Sequence, residues 1–193
     1  MLTAIFTQRR VQTRTQISVK ALVAAAVVAL AVILPQLAHL AVGPQAGVLL
    51  LPMYLPVLLG GCLLGVKWGV AAALLSPIFS YLVTSAAGSA MPALSRLPFM
   101  MAELAVFALV CGLFSNKIMQ HSGFAFLAVL LAQLCGRLTF LGLVAAFSAV
   151  TPLTPALVLG QIKTGLLGLA LQAVLVPVLV LLLKKALQTE PEK

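Results

Sequence analysis

The sequence contains no aspartate, and its only acidic residues are Glu103, Glu190 and Glu192. Enzymes that hold magnesium in an aspartate cluster are thereby excluded. There is no G-x-x-x-x-G-K-[ST] loop through which a nucleotide would be used, and no G-x-S-x-G elbow to present a nucleophilic serine. Cys62, Cys111 and Cys135 form no C-x-x-C pair and lie within apolar segments, where they read as small core residues. His39 and His121 fall near opposite ends of the chain's apolar segments, so no metal centre and no cofactor are expected. Charge is scarce altogether, at 8% of residues against 63% hydrophobic, and the mean hydropathy is +1.20.

What is abundant is continuous apolar sequence rich in Leu, Ala and Val. Alternating apolar and polar residues, which a membrane β-barrel requires, are missing. A spanning helix needs about 20 mostly apolar residues, and Gly and Pro punctuation divides the chain into six such segments, at 20–41, 48–66, 68–84, 97–116, 122–148 and 156–184. The expected fold is all-α, a compact polytopic bundle of six transmembrane helices over residues 20–186. A basic segment precedes it at 1–19 and a short tail follows at 187–193. The first 20 residues carry four basic groups and no acid before the first apolar run, as a signal peptide would, but that run is longer than a cleavable one and no removal is expected.

The net charge of +9 points to topology rather than nucleic acid, because the basic residues sit mainly at the ends of apolar segments. With both termini cytoplasmic, Arg9, Arg10, Arg14, Lys20, Lys67, Lys117, Lys184, Lys185 and Lys193 all lie inside, and only Arg96 lies in an external loop. The segments "SAAGSAMPALSRL" at 85–97 and "VTPLTP" at 150–155 read as loops, and "VKW" as a tight hairpin between the second and third spans.

Three ionisable residues remain within spans: Glu103, Arg137 and Lys163. At about 1.5 Å per helical residue, Glu103 lies roughly 8 to 9 Å, and Lys163 roughly 10 Å, below the outer ends of their spans. Charges at membrane depth are costly and are usually paired, face a cavity or mark a ligand path. One reading is that Glu103 only pairs with a cation to fix helix packing. Another follows from the count: one carboxylate balances one of two cations, and the remaining positive charge favours an anionic ligand.

Two further patterns stand out. Ala21, Ala25 and Ala29 recur at i, i+4, i+8 in the first span, a spacing that allows close approach of another helix, in this chain or in a partner. In residues 43–65, Pro52 and Pro56 near the outer end of the second span would loosen helical hydrogen bonding and expose carbonyls, with Gln45 and Tyr54 offering polar contacts there.

The run "LPMYLPVLLGGCLLGVKWGVAAALLSPIFSYLVT", followed by "MMAELAVFALVCGLF" and "LCGRLTF", resembles the membrane-embedded substrate-binding subunits (S components) of energy-coupling factor (ECF) vitamin transporters. The ordered series P-x-x-x-P-V-L-L-x-G, S-P, E-L-A and G-R carries the resemblance, which covers most of residues 20–186. Relatives often have histidine where Tyr54 stands. The resemblance implies capture of a vitamin from the outside in a pocket shaped by loops and the outer helix halves. It also implies delivery through a transmembrane coupling subunit and two cytoplasmic ATPases in a prokaryotic plasma membrane, with Ala21, Ala25 and Ala29 as the docking surface. On this reading Arg137 or Lys163 fixes a ligand carboxylate, Glu103 orients the cation or accepts a ligand hydrogen bond, residues 43–54 form a lid, and small anions such as pantothenate or nicotinate suit the site. The competing expectations are a structural or assembly protein whose charges serve helix packing alone and, with least support from the residues, a lipid-modifying enzyme.

Overall fold

The computed structural model of the chain describes residues 1–2, 13–43, 45–88 and 91–189. Arg9, Arg10, Glu190, Glu192 and Lys193, which figure in the charge pattern above, lie outside them. Among the described residues the structure is helical, without strands. Its elements are α1 (Thr13–Val42), α2 (Ala46–Leu50), α3 (Tyr54–Leu64), α4 (Val66–Ala86), a 3₁₀ turn (Leu94–Arg96), α5 (Leu97–Gln120), α6 (Phe124–Ala146) and α7 (Pro155–Thr189).

Five of these, α1, α4, α5, α6 and α7, are long and apolar enough to cross a membrane. Their outward faces carry exposed Leu22, Leu113, Leu138 and Leu182. A soluble monomer rarely shows so much contiguous apolar surface, whereas acyl chains cover it at no cost. The chain is a multi-pass membrane protein.

The second expected span, 48–66, is not one helix. It breaks at residues 51–53 into the single turn of α2 and the 11-residue α3, which at about 1.5 Å per residue is roughly half the bilayer core. Leu51 is left-handed (φ 50°, ψ 49°), and Pro52 has no N–H to continue a ladder. The carbonyls freed at the break are not left bare: the buried Gln172 side chain of α7 donates through Nε2 to the oxygens of Leu50 and Leu51, both at 2.9 Å. Non-helical backbone at this depth is stable only when it is satisfied within the protein in this way.

The turn expected at "VKW" falls instead at Gly65, whose φ of 78° and ψ of −174° suit glycine alone, and Val66, Lys67 and Trp68 open α4. Helix α7 starts where Thr154 caps it, its hydroxyl accepting from Leu157 N–H at 3.3 Å, with Pro155 in the first turn. Helix α5 ends against Lys184, whose ammonium donates to the carbonyls of Ile118 and Met119 at 3.1 and 2.9 Å. A cation there also suits the negative pole of the helix.

Helix α3 is apolar all round, and nine of its residues are buried, because α1, α4, α5 and α7 surround it. Helix α5 packs against α3, α4 and α6, and α6 against α7. Small residues set these distances. A Cβ on Gly112 of α5 would stand 2.7 Å from the Val66 nitrogen, and one on Gly61 of α3 would stand 3.0 Å from the Ala108 backbone. Close backbone approach through small residues is how helices associate where lipid removes the hydrophobic drive between them.

Candidate functional site

Glu103 sits two turns into α5 and is fully buried. Its carboxylate is held from two sides. The Tyr54 hydroxyl, at the start of α3, donates to Oε2 at 2.7 Å, and Arg137 Nη1, on α6, lies 3.1 Å from Oε1. The second contact is an ion pair without hydrogen-bond alignment, since Oε1 has no aligned donor among the described residues. The Arg137 guanidinium also lies 5.0 Å from the centroid of the Tyr54 ring, and that ring stands edge-on to Phe107 at 5.0 Å. Phe107 in turn occupies the space that a Cβ on Gly136 would need. The residue next to the arginine must therefore be glycine for α5 and α6 to approach closely enough to form the pair.

A carboxylate and a guanidinium taken out of water are costly unless their remaining donors and acceptors are met. Glu103 is nearly satisfied. Arg137 is not: Nε and Nη2 are buried without a hydrogen-bond partner among the described residues.

Arg137 lines a cavity of about 360 Å³ at the end of the bundle where α1 and α4 finish and α5 and α7 begin. Most of the wall is apolar, with Met53, Met100 and Phe140 among its side chains. The polar contributions come from Tyr54, Ser80, His39, Arg96, Arg137 and Gln161. Residues 91–93 form part of the rim and are tied to α4, since the Ser80 hydroxyl donates to the Met91 carbonyl at 2.9 Å and the Thr84 hydroxyl accepts from Met91 N–H at 2.8 Å. The Gln161 amide oxygen, with the amide turned to face it, accepts from Arg96 Nη1 at 3.1 Å and Nη2 at 2.5 Å.

The structure thus brings together Tyr54, Glu103 and Arg137, and leaves out two residues that the sequence grouped with them. Lys163 is exposed on α7 and is not among the residues lining the cavity. Its depth follows from helical rise, but depth says nothing about face. The buried stripe of α7 runs through Val158, Gly165, Gly168, Gln172, Val176 and Val180, and Lys163 lies off it, about 200° around the helix from Gln161. Gln45 is exposed just before the first residue of α2, although Leu51, Pro52 and Met53 of the same 43–54 segment do line the cavity. Glu103 is not itself in the lining: it lies behind Arg137 and Tyr54 and holds both. Ala21, Ala25 and Ala29 are all exposed, on the side of α1 facing away from the bundle.

Sequence reasoning missed Arg96, Gln161 and Ser80 as cavity residues. Arg96 was used only as a topology marker, yet it precedes Met100 by four positions and Glu103 by seven, the spacing of one helical face. For Gln161 the signal is the small and polar stripe of α7. Compared with protein-family models, curated proteins and solved structures, the chain finds no match. The geometry and the residues alone carry the functional argument.

Proposed function

We propose that the chain is the substrate-capture subunit of an ECF-type importer, binding a vitamin or related micronutrient from outside the cell and passing it on with a transmembrane coupling subunit and two cytoplasmic ATPases. The observation that carries this reading is the cavity lined by Arg137, whose Nε and Nη2 are buried without an acceptor among the described residues. A protein that used Arg137 only for packing would gain by burying those donors against a carbonyl.

The finer topology belongs to the same proposal. The α2–α3 segment counts as the short sixth crossing, both termini are cytoplasmic, and the cavity opens outward in a prokaryotic plasma membrane. The excess of Lys and Arg at the opposite end of the helices supports that orientation. The lack of any nucleotide loop supports a need for partner ATPases, and the exposed face of Ala21, Ala25 and Ala29 offers a close-approach surface for the coupling subunit.

Native mass spectrometry of the purified protein tests this directly: a retained small molecule is expected, and Arg137→Ala should lose it while the protein stays folded in detergent. A second reading, a structural protein with charges for packing alone, has one observation in its favour, since Glu103, Arg137 and Tyr54 link three helices. It requires that no small molecule be retained, whatever Arg137→Ala does to thermal stability.

A further inference from the structure

Resting on the capture reading, we infer that the cavity takes a small organic monoanion, a carboxylate on an apolar body, anchored by the free edge of Arg137 and by Arg96.

The charge balance of the site fixes the sign. Two guanidiniums, Arg96 and Arg137, line the cavity, and the carboxylate of Glu103 stands behind it, already engaged by Arg137 and Tyr54. One positive charge is therefore unbalanced, and a ligand bearing one negative charge completes the site. A cationic ligand would meet like charge in a wall that is otherwise largely apolar.

The donor geometry fixes the group. Arg137 uses Nη1 for Glu103, which leaves Nε and Nη2 on the adjoining edge of the planar fork. Two parallel N–H donors on one edge match the two oxygens of a carboxylate, which they bind bidentately. Glu103 then acts as a positioning residue: with Tyr54 it fixes the rotation of the guanidinium beside the cavity that Arg137 lines, and it never touches the ligand.

Arg96 supplies the second anchor. Its present partner is the neutral amide oxygen of Gln161, a weaker acceptor than a carboxylate and one that water or ligand can replace. The cavity, at about 360 Å³, is near the low end of the range of roughly 300–1,000 Å³ for small-molecule sites. With Met53, Met100 and Phe140 in the wall, the body of the ligand is compact and apolar.

The test is competitive native mass spectrometry of the full chain in detergent, offered an equimolar mixture of nicotinate, pantothenate and biotin, the neutral nicotinamide and panthenol, and the cation thiamine. An acid should be retained in preference to every neutral or cationic compound. Its retention should fall about tenfold or more in Arg137→Gln and in Arg96→Gln, the loss of one charge-assisted hydrogen bond. Lys67→Gln, which removes a charge at the other end of the bundle, should leave it unchanged. Size-exclusion profiles identify any variant that has lost its fold. Retention of a neutral or cationic compound overturns the inference and leaves capture standing. The same holds if none of the mixture is retained and the molecule that co-purifies is neutral or cationic. If nothing is retained and nothing co-purifies, both fail. Undiminished retention by folded Arg96→Gln removes the second anchor.

Discussion

The two ends of this bundle are built from the same apolar alphabet and solve opposite problems. At the end bearing Lys67, Lys117 and Lys184, helices α3, α4 and α5 meet through Gly61, Gly65, Gly69 and Gly112, with backbones in near contact and none of these glycines lining the cavity beside Arg137. At the other end the chain breaks at residues 51–53, a loop replaces a helix over residues 91–93, and the space left is a cavity edged by two arginines. Glycine closes one end, and proline with buried charge opens the other. At the lysine end the Lys184 ammonium has its acceptors, whereas at the cavity end Arg137 Nε and Nη2 have none among the described residues.

The sharpest way to break that contrast is to remove the carboxylate beneath the cavity. Glu103→Ala leaves the Arg137 guanidinium buried and unpaired, and should cost about 3 to 5 kcal/mol, read as a large drop in the unfolding midpoint in detergent. A near-neutral result would mean that Arg137 has another way to reach solvent, and that the cavity end is no more demanding than a surface. At the closed end, Gly112→Ala drives a methyl into the Val66 backbone, which cannot rotate away. Overpacking of this kind costs about 1 to 3 kcal/mol, and calorimetry should find the loss without any change in ligand retention. If retention fell with it, the two ends would be mechanically coupled.

Gln172→Ala tests the seam between the regions. Two partly buried carbonyls lose their donor, a penalty of about 1 to 3 kcal/mol, and hydrogen exchange should quicken at the amides of residues 49–55 before it does further along α3. Unaltered exchange there would show that the break at Leu51 is held by packing rather than by the glutamine. The smallest effect belongs to Lys163→Gln, which is expected to stay within about 0.5 kcal/mol of the parent and to leave ligand retention as it was. A loss comparable with that of Arg137→Gln would return Lys163 to the site and contradict its exposed position on α7.

Much of this was legible from composition and spacing. The apolar runs gave the multi-pass class and bounded α1, α4, α5, α6 and α7 to within a few residues, apart from longer extensions at the start of α1 and the end of α7. Backbone hydrogen bonds in hydrocarbon must be satisfied within the segment, so an apolar run of sufficient length has essentially one structure open to it. The proline pair at 52 and 56 correctly marked a disturbance in the second segment. It did not say that the helix would stop for three residues, because the stop depends on Gln172, more than a hundred residues away, to receive the freed carbonyls.

The candidate site was legible in part for a similar reason. A lone glutamate and a lone arginine in apolar helices have few ways to avoid the cost of burial, and mutual pairing is the nearest, so Glu103 and Arg137 announce each other. Lys163 offered the same signal and was misleading, since a lysine can run its apolar stem along the helix and keep its ammonium outside.

By itself, then, the sequence determined that this is an all-helical membrane protein, where most of its helices lie, and that Glu103 needs a cation. Hydropathy and charge are summed along the chain, and the bilayer turns those sums directly into structure. Only the tertiary structure decided which cation answers, that Tyr54 shares the carboxylate, that two Arg137 donors find no acceptor among the described residues, and that Arg96 and Gln161 line the same cavity. Those are questions of helix rotation and of contacts between distant segments, set by where glycines let backbones approach and by which face each helix turns inward.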